Sequence, residues 1–507
     1  MLDKKIGIID LGSSSTRLVI YQVYHNGAFK LVDDIHYKIR LVENMVDGRF
    51  LSEISMKKAL KVVTMFKMLC KSHNIHSKDI IAVATAAVRK AENRERFLKI
   101  LYRVTGLTFK VLTGEEEALY DYNSVIHSMN CRSGIIVDIG GGSAEIVRFE
   151  ADGDVRYTSI PLGAVDATER LEYKDSIAPD KLLKLEQYVE KMLKQYEWLS
   201  MGRNQYIIGI GGTLRALAEI HRRASDYPLD IIHNYTLKIE EFYKVYDELK
   251  TMTIAQRKKV DGLSSERADI IVGGFAILKV IIALTGSKEI IISGNGLREG
   301  ILFEYMFKDN SEQQFKDVLE FSLNNYMDIY GIGHVHASHI AGLSLSMFEQ
   351  LTALHKLQDE EKKLLKVAAL LHDIGISISY YDHDMHSFYM ILNSRLNGLS
   401  HREILIIALT AALHHNGKAK KVLLGKYGAI LSQQDIKTIQ KLSLFLKIAE
   451  CLDRSETGIV QSIECKIENN LVRMKTFSDS DSELEIRQAN ENYEAFMKAF
   501  NMRLIIT

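Results

Sequence analysis

The stretch Ile6-Gly7-Ile8-Ile9-Asp10-Leu11-Gly12-Ser13-Ser14-Ser15-Thr16 recurs in altered form as Gly134-Ile135-Ile136-Val137-Asp138-Ile139-Gly140-Gly141-Gly142-Ser143-Ala144-Glu145. Each copy begins with a short apolar run, rich in β-branched residues and too brief for a helix. It then enters an aspartate and a Gly/Ser turn, the pattern of a buried strand ending in a tight loop. Glycine lets backbone N–H groups approach an anion, serine hydroxyls add donors, and the aspartate can hold Mg²⁺ directly or through water. This is a phosphate-and-metal loop, and finding it twice predicts two lobes facing one cleft.

Around the first copy the pattern is α/β over residues 1–125. Alternation at 28–41 is followed by an amphipathic helix pattern at 52–72, a short strand at 79–85 and another at 109–112. Thr113 is placed to cap the next helix, and Glu115, Glu116 and Glu117 suit its first turn. On position alone, complementing that helix dipole accounts for the three acids. Residues 126–305 repeat the order. They add strands running into Gly211-Gly212-Thr213 and into Ser293-Gly294-Asn295-Gly296. The first of these turns either contacts phosphate through Gly212 and Thr213 or merely reverses the chain. From 311 to 459 strand signals give way to helical patterns at 337–354, 360–372, 402–415 and 432–454, and residues 460–507 read as a small α+β segment.

Equal numbers of basic and acidic side chains, 65 of each, argue against a generic nucleic-acid binder with a whole-surface positive field. A polyanionic substrate would need a local groove, to which His221-Arg222-Arg223, Arg257-Lys258-Lys259 or Lys418-Ala419-Lys420-Lys421 could contribute; each run also reads as solvated surface. Cys70, Cys131, Cys451 and Cys465 are far apart and lack metal-knuckle spacing, which fits reduced thiols. The chain opens at once into a strand, leaving no room for a signal peptide. The apolar stretch 270–285 is broken by Lys279 and glycines and falls short of the ~20 residues of a membrane span. The expectation is a cytoplasmic enzyme with neither membrane nor nucleic acid as partner.

The segments 6–17, 85–89, 113–120, 135–147, 160–169, 208–217, 263–278 and 292–301, in that order, resemble the exopolyphosphatase / guanosine pentaphosphate phosphohydrolase family of the actin-like (ribonuclease H-like) ATPase superfamily. The resemblance implies an α/β fold of two actin-like lobes and hydrolysis of a terminal phosphoanhydride with Mg²⁺ and a water nucleophile. It makes Glu117, the acid just before Ala118, the general base. Asp10, Asp138 and Glu145 become the acids that hold Mg²⁺ or orient water, Asp138 and Glu145 being catalytic. Gly12, Ser13, Ser14, Ser15, Gly140, Gly141, Gly142, Ser143, Gly212 and Thr213 form the substrate cradle, and Arg89 a phosphate-binding arginine. Two departures stand out: family members often carry Asn at the place of Ser14 and Thr at that of Ala144. Both changes shorten or remove a polar group near the phosphate while leaving every acid intact. Elementary chemistry agrees with the assignment, because phosphoanhydride hydrolysis asks for positioning, charge neutralisation and one carboxylate to take a proton.

The helical region resembles the histidine-aspartate (HD) phosphohydrolase superfamily through His336, the pair His372-Asp373, and Asp453. That resemblance offers a second divalent-metal site from these four residues, against a structural, substrate-guiding and dimerising role, which the reading favours. His383, His386, His401, His414 and His415 read as surface or groove residues. The expected substrate is inorganic polyphosphate, and the expected assembly a homodimer. Guanosine pentaphosphate (pppGpp), cleaved at the same centre, is the near alternative; a kinase on the same fold or a non-catalytic sensor of pppGpp/ppGpp is a more distant one.

Overall fold

Both quoted stretches fold as the expected strand and loop, and each loop leads into a returning antiparallel strand. In the first, β1 (Lys4–Leu11) turns into β2 (Ser15–Val23), followed by β3 (Phe29–Lys38), with a two-residue-stranded hairpin, β4 (Met45–Val46) and β5 (Phe50–Leu51), beyond. The sheet is completed by β6 (Ile80–Ala84) and β7 (Phe109–Val111) in the order β3-β2-β1-β6-β7. The computed structural model describes residues 3–42, 45–46, 49–172, 175–200, 206–307, 317–415 and 425–507.

The second stretch forms β8 (Gly134–Ile139) and β9 (Ala144–Phe149). With β10 (Val155–Ile160), β11 (Ile207–Ile210), β12 (Tyr235–Lys238) and β13 (Glu289–Ile292) they make a sheet ordered β10-β9-β8-β11-β13-β12. Apart from the appended antiparallel β12, the two sheets share one plan: β1 pairs antiparallel with β2 and parallel with β6, as β8 does with β9 and β11. The loops match in detail. Gly12 N–H donates to Ser15 O at 3.1 Å, and Gly140 N–H to Ser143 O at 3.0 Å. Among the differences between the copies, one changes the charge beside the aspartate: Asp10 stands opposite Arg17, whereas Asp138 stands opposite Glu145.

Two helices near the lobe border cover sheets in an exchanged manner. The helix Gly114–Ile126 comes from the first half, yet Ala118 and Val125 pack with Ile136, Val147 and Ile208 of the second sheet. The helix Leu297–Phe307 closes the second half, yet Ile301 and Leu302 pack with Ile6, Ile8 and Val19 of the first. A division at residue 125 therefore cuts through packed structure. The helix Ile271–Thr285 is buried on nearly every side. Its lone cation, Lys279, reaches Glu186 at 2.7 Å. No helix among the described residues is long and apolar enough to cross a membrane.

The chain separates into two compact units, Met1–Val318 and Leu319–Thr507. In the second, the helices His334–Gln350, Asp359–Leu371, His401–Ala412 and Gln433–Cys451 follow the expected patterns to within a few residues, and His383–Leu392 is an additional helix. The terminal strands β14 (Val460–Glu468), β15 (Leu471–Ser478) and β16 (Arg503–Ile506) form a sheet of their own. It is joined to the helices: the Gln350 side chain donates to Ile463 O at 2.9 Å and accepts from Cys465 N–H at 2.7 Å, and Phe500 stacks on Phe445.

In two of the basic runs an arginine is turned inward. Arg222 is buried against Glu219 and Asp230, and the fully buried Arg257 donates to the carbonyl of Leu249. The Lys418–Lys421 run lies outside the described residues.

Candidate active site

The two Gly/Ser loops meet at the mouth of a cavity of about 390 Å³ lined by both sheets of the first unit. Ser13 accepts Ala87 N–H at 3.0 Å, which pins its loop to the turn after β6. A side chain on Gly163 would strike the backbone of Gly141, so the turn after β10 can pack against the second loop only because that position is bare. Lys90 clamps the same region, its ammonium donating to Gly142 O at 2.6 Å and pairing with Asp166 at 2.7 Å.

Five carboxylates converge here. Asp10, Glu117, Asp138 and Glu145 line the cavity; Glu219, which lines it as well, is engaged apart from them with Arg222 at 2.6 Å. The fifth, Asp121, lies one turn beyond Glu117 on the same helix face and is 2% exposed. Burial pushes the Asp138 carboxyl up to about 6, with Arg215 opposing it. Burial and then the charge of Asp138 push Glu145 to about 7. Glu117 and Asp121 are raised well above the usual range, by burial first and then by Glu145 and Asp138 respectively. One oxygen each of Asp10 and Asp121 is buried with no hydrogen-bond partner. Carboxylates crowded out of water with bare oxygens ask for a cation, and an all-oxygen donor set fits a hard divalent ion such as Mg²⁺.

The three acids at the start of the helix Gly114–Ile126 divide their work. Thr113 and Glu116 form a reciprocal capping box, Glu116 also pairs with Lys110 at 2.7 Å, and Glu115 stays outside the cavity. Only Glu117 turns inward, where it is ion-paired with Arg89. The capping reading therefore holds for its neighbour and leaves Glu117 for the cleft.

The cavity brings together Asp10, Gly12, Ser13, Ser14, Ser15, Glu117, Asp138, Gly140, Gly141, Gly142, Ser143, Glu145 and Gly212. Two expected substrate residues stand apart from it. Arg89 binds Glu117 and donates to Leu112 O at 2.8 Å, and the buried Thr213 donates its hydroxyl to Ile139 O at 3.0 Å. The cations that do line the cavity are Arg17, Arg215, Arg267 and Arg298, none singled out from sequence. Arg298 Nη1 lies 3.5 Å from Asp10 Oδ2. Arg215 donates to Gly294 O at 2.9 Å, and burial lowers its guanidinium to about 10. Gly211 has φ +75°, and a Cβ there would run into the Asp138 carboxylate. The helix Gly211–Ala224 thus begins directly against that acid, with its first two residues lining the cleft and the positive end of its dipole there.

In the second unit, the four residues of the HD pattern are neighbours: His336 Nδ1 is 2.9 Å from Asp453 Oδ2, and the His336 and His372 rings are 5.6 Å apart. His383 and His414, expected at the surface or a groove, are instead buried beside them, at 8% and 0% exposure. Ala411 and Ala412 before His414, at the end of a helix apolar through most of its length, were the available sign of that burial.

Duplicated sheets with facing phosphate loops, inward carboxylates and four arginines define an actin-like phosphohydrolase cleft. The chain belongs to the Ppx/GppA phosphatase family, whose model matches residues 9–309, with the model of that family's domain III matching residues 318–493. A guanosine-5'-triphosphate,3'-diphosphate pyrophosphatase of Pseudoalteromonas translucida is 26% identical over 420 residues, 82% of this chain and 81% of that protein. The Aquifex aeolicus member of the Ppx/GppA family is 28% identical, with a TM-score of 0.53 over 61% of this chain and 100% of its own. An exopolyphosphatase from Cytophaga hutchinsonii shares the fold, with a TM-score of 0.57 over 60% of this chain and 98% of its own at 22% identity.

Proposed function

We propose that the chain hydrolyses the terminal 5′-phosphoanhydride of guanosine pentaphosphate. The observation that carries hydrolysis is the inward carboxylate Glu117 beside two phosphate loops and a ring of arginines. In this reading Glu117 accepts the proton of the attacking water at its carboxylate, and burial, by raising its proton affinity, strengthens it as a base. Arg89 fixes the orientation of that carboxylate. Arg215, Arg267 and Arg298 meet the charge that spreads over the equatorial phosphoryl oxygens. Asp10, Asp138 and Glu145 would hold Mg²⁺, which when bound supplies further charge neutralisation at those oxygens.

The choice of substrate rests on relatives. Proteins bearing the guanosine-5'-triphosphate,3'-diphosphate pyrophosphatase name align over about four-fifths of this chain, more than the first unit alone can supply. The exopolyphosphatase structure reaches 60% of it at an identity that speaks only for fold. Inorganic polyphosphate, the first expectation, ends in the same phosphoanhydride and is demoted on that ground. Steady-state assays on guanosine pentaphosphate, polyphosphate and GTP test the choice. The expected result is the highest kcat/KM for guanosine pentaphosphate; a higher value for polyphosphate would reverse the assignment.

A further inference from the structure

We infer that a second cavity of the first unit, on the far side of Glu117, is the route by which orthophosphate leaves the site. This cavity, of about 700 Å³, is lined among others by Arg89, Lys90, Thr113, Thr158 and Ser159. None of these lines the first cavity, yet three of them touch residues that do. Arg89 is ion-paired with Glu117, Ser159 donates its hydroxyl to Glu145 Oε1 at 2.8 Å, and the Lys90 ammonium donates to Gly142 O at 2.6 Å. The two cavities therefore stand back to back, and polar contacts cross the wall between them. The helix Gly114–Ile126 begins against this wall with no room for an apolar plug, since a Cβ on Gly114 would overlap the Ser159 side chain. Rotating polar side chains opens a passage at less cost than moving packed apolar ones.

Phosphoryl transfer fixes the side of the substrate on which this wall stands. The attacking and leaving oxygens are roughly in line through phosphorus. Water held by Glu117 attacks from the wall side, its oxygen bonding to phosphorus as the bond to the bridging oxygen breaks, and its proton passes to Glu117. The orthophosphate so formed lies between the wall and the rest of the substrate, which stands across the way that it came in. With no other exit, the nucleotide product would have to leave first. The second cavity removes that order.

The same step loosens the wall. A Glu117 carboxyl that has taken the water's proton no longer carries the charge that holds the guanidinium. Arg89 is the outer member of the pair, its side chain 23% exposed against 11% for Glu117. Once released, it turns toward the second cavity as a cation that an oxyanion follows, and Lys90 with the hydroxyls of Thr113, Thr158 and Ser159 continues the polar path. When the proton departs with the phosphate, Glu117 regains its charge and the pair closes again. The inference rests on the hydrolytic reading of the first cavity, and it holds for polyphosphate as for guanosine pentaphosphate.

The test follows a single turnover of the full wild-type chain, in excess over a fluorescent guanosine pentaphosphate. Rapid quench reads cleavage, a fluorescent phosphate sensor reads free orthophosphate, and the nucleotide's own signal reads its departure. Orthophosphate is expected in solution before the nucleotide leaves; its appearing no sooner than the nucleotide departs would overturn the route. Glu115→Trp sets an indole in the second cavity from an exposed position outside the catalytic machinery. Its cleavage step should stay within about twofold of wild type, which also shows that it folds, while orthophosphate follows the nucleotide out and kcat falls roughly tenfold. Glu115→Gln removes the charge without filling the cavity and should behave as wild type. Orthophosphate still leading in the Glu115→Trp chain would equally sink the route. A wild-type chain that frees no orthophosphate from guanosine pentaphosphate or polyphosphate would bring down the hydrolytic reading itself, and the route with it.

Discussion

At the scale of single residues, the cleft separates acids by environment more than by identity. Glu117→Gln keeps the shape and the contact with Arg89 but cannot take a proton. Phosphate release should fall by roughly 10²-fold or more with substrate affinity retained, measured as separate kcat and KM. Asp138 carries a pH prediction whose sign follows from linkage. Its folded value, about 6, lies above the ordinary aspartate value of about 4, so between these the unfolded chain has already lost the proton that the folded chain keeps. Stability from this group is therefore present below about pH 4 and lost as pH rises through about 6. In metal-free protein, Asp138→Asn should gain in melting temperature relative to wild type as pH goes from about 4 to 7. Melting curves of both proteins across that range would show it, and a constant difference would not. The acids at 10, 117, 138 and 145 were readable because each closes a motif. Asp121 was equally readable as the position one turn after Glu117, but no motif pointed to it. The arginines were not: Arg17, Arg215, Arg267 and Arg298 sit in four separate segments, and only tertiary folding brings them to one cavity.

At the scale of elements, capping and turn chemistry were legible and packing partners were not. Thr113 was expected to start a helix and does so through a two-way box with Glu116. Because that helix carries both Glu117 and Asp121, Thr113→Ala should cost about 1 kcal/mol in chemical denaturation and lower the rate by loosening both acids. Gly211→Ala asks for more. It meets a positive φ as well as the Asp138 carboxylate, so a loss on the order of 1–2 kcal/mol should accompany a larger loss of activity than Thr113→Ala produces. The helix exchange across the lobe border could not be read along the chain, since a linear pattern gives a helix an apolar face but not the sheet that it will meet. The helix His383–Leu392 escaped notice for a related reason: it is short and starts among polar, aromatic and His residues that read as loop.

At the scale of the molecule, every acid assigned to the cleft lies in Met1–Val318, which has its own core, whereas the histidine cluster lies in Leu319–Thr507. A chain ending at Val318 should fold and still release terminal phosphate within about tenfold of the full protein's kcat, checked by circular dichroism and phosphate assay. The duplicated lobes were visible from the two loops alone. The union of the terminal sheet with the helices was not, because it depends on cross-links such as Gln350 to Ile463 that no composition shift announces. One element has a consequence for how this chain must be made. Apart from Lys279 the helix Ile271–Thr285 is apolar, and some of its neighbours, Ala164 and Thr168 among them, lie more than a hundred residues away in sequence. Until the second lobe assembles it has nowhere to hide, so it is the segment most prone to self-association during refolding. Recovery of active protein from denaturant should fall steeply with chain concentration, and a holdase present in the first moments should restore it.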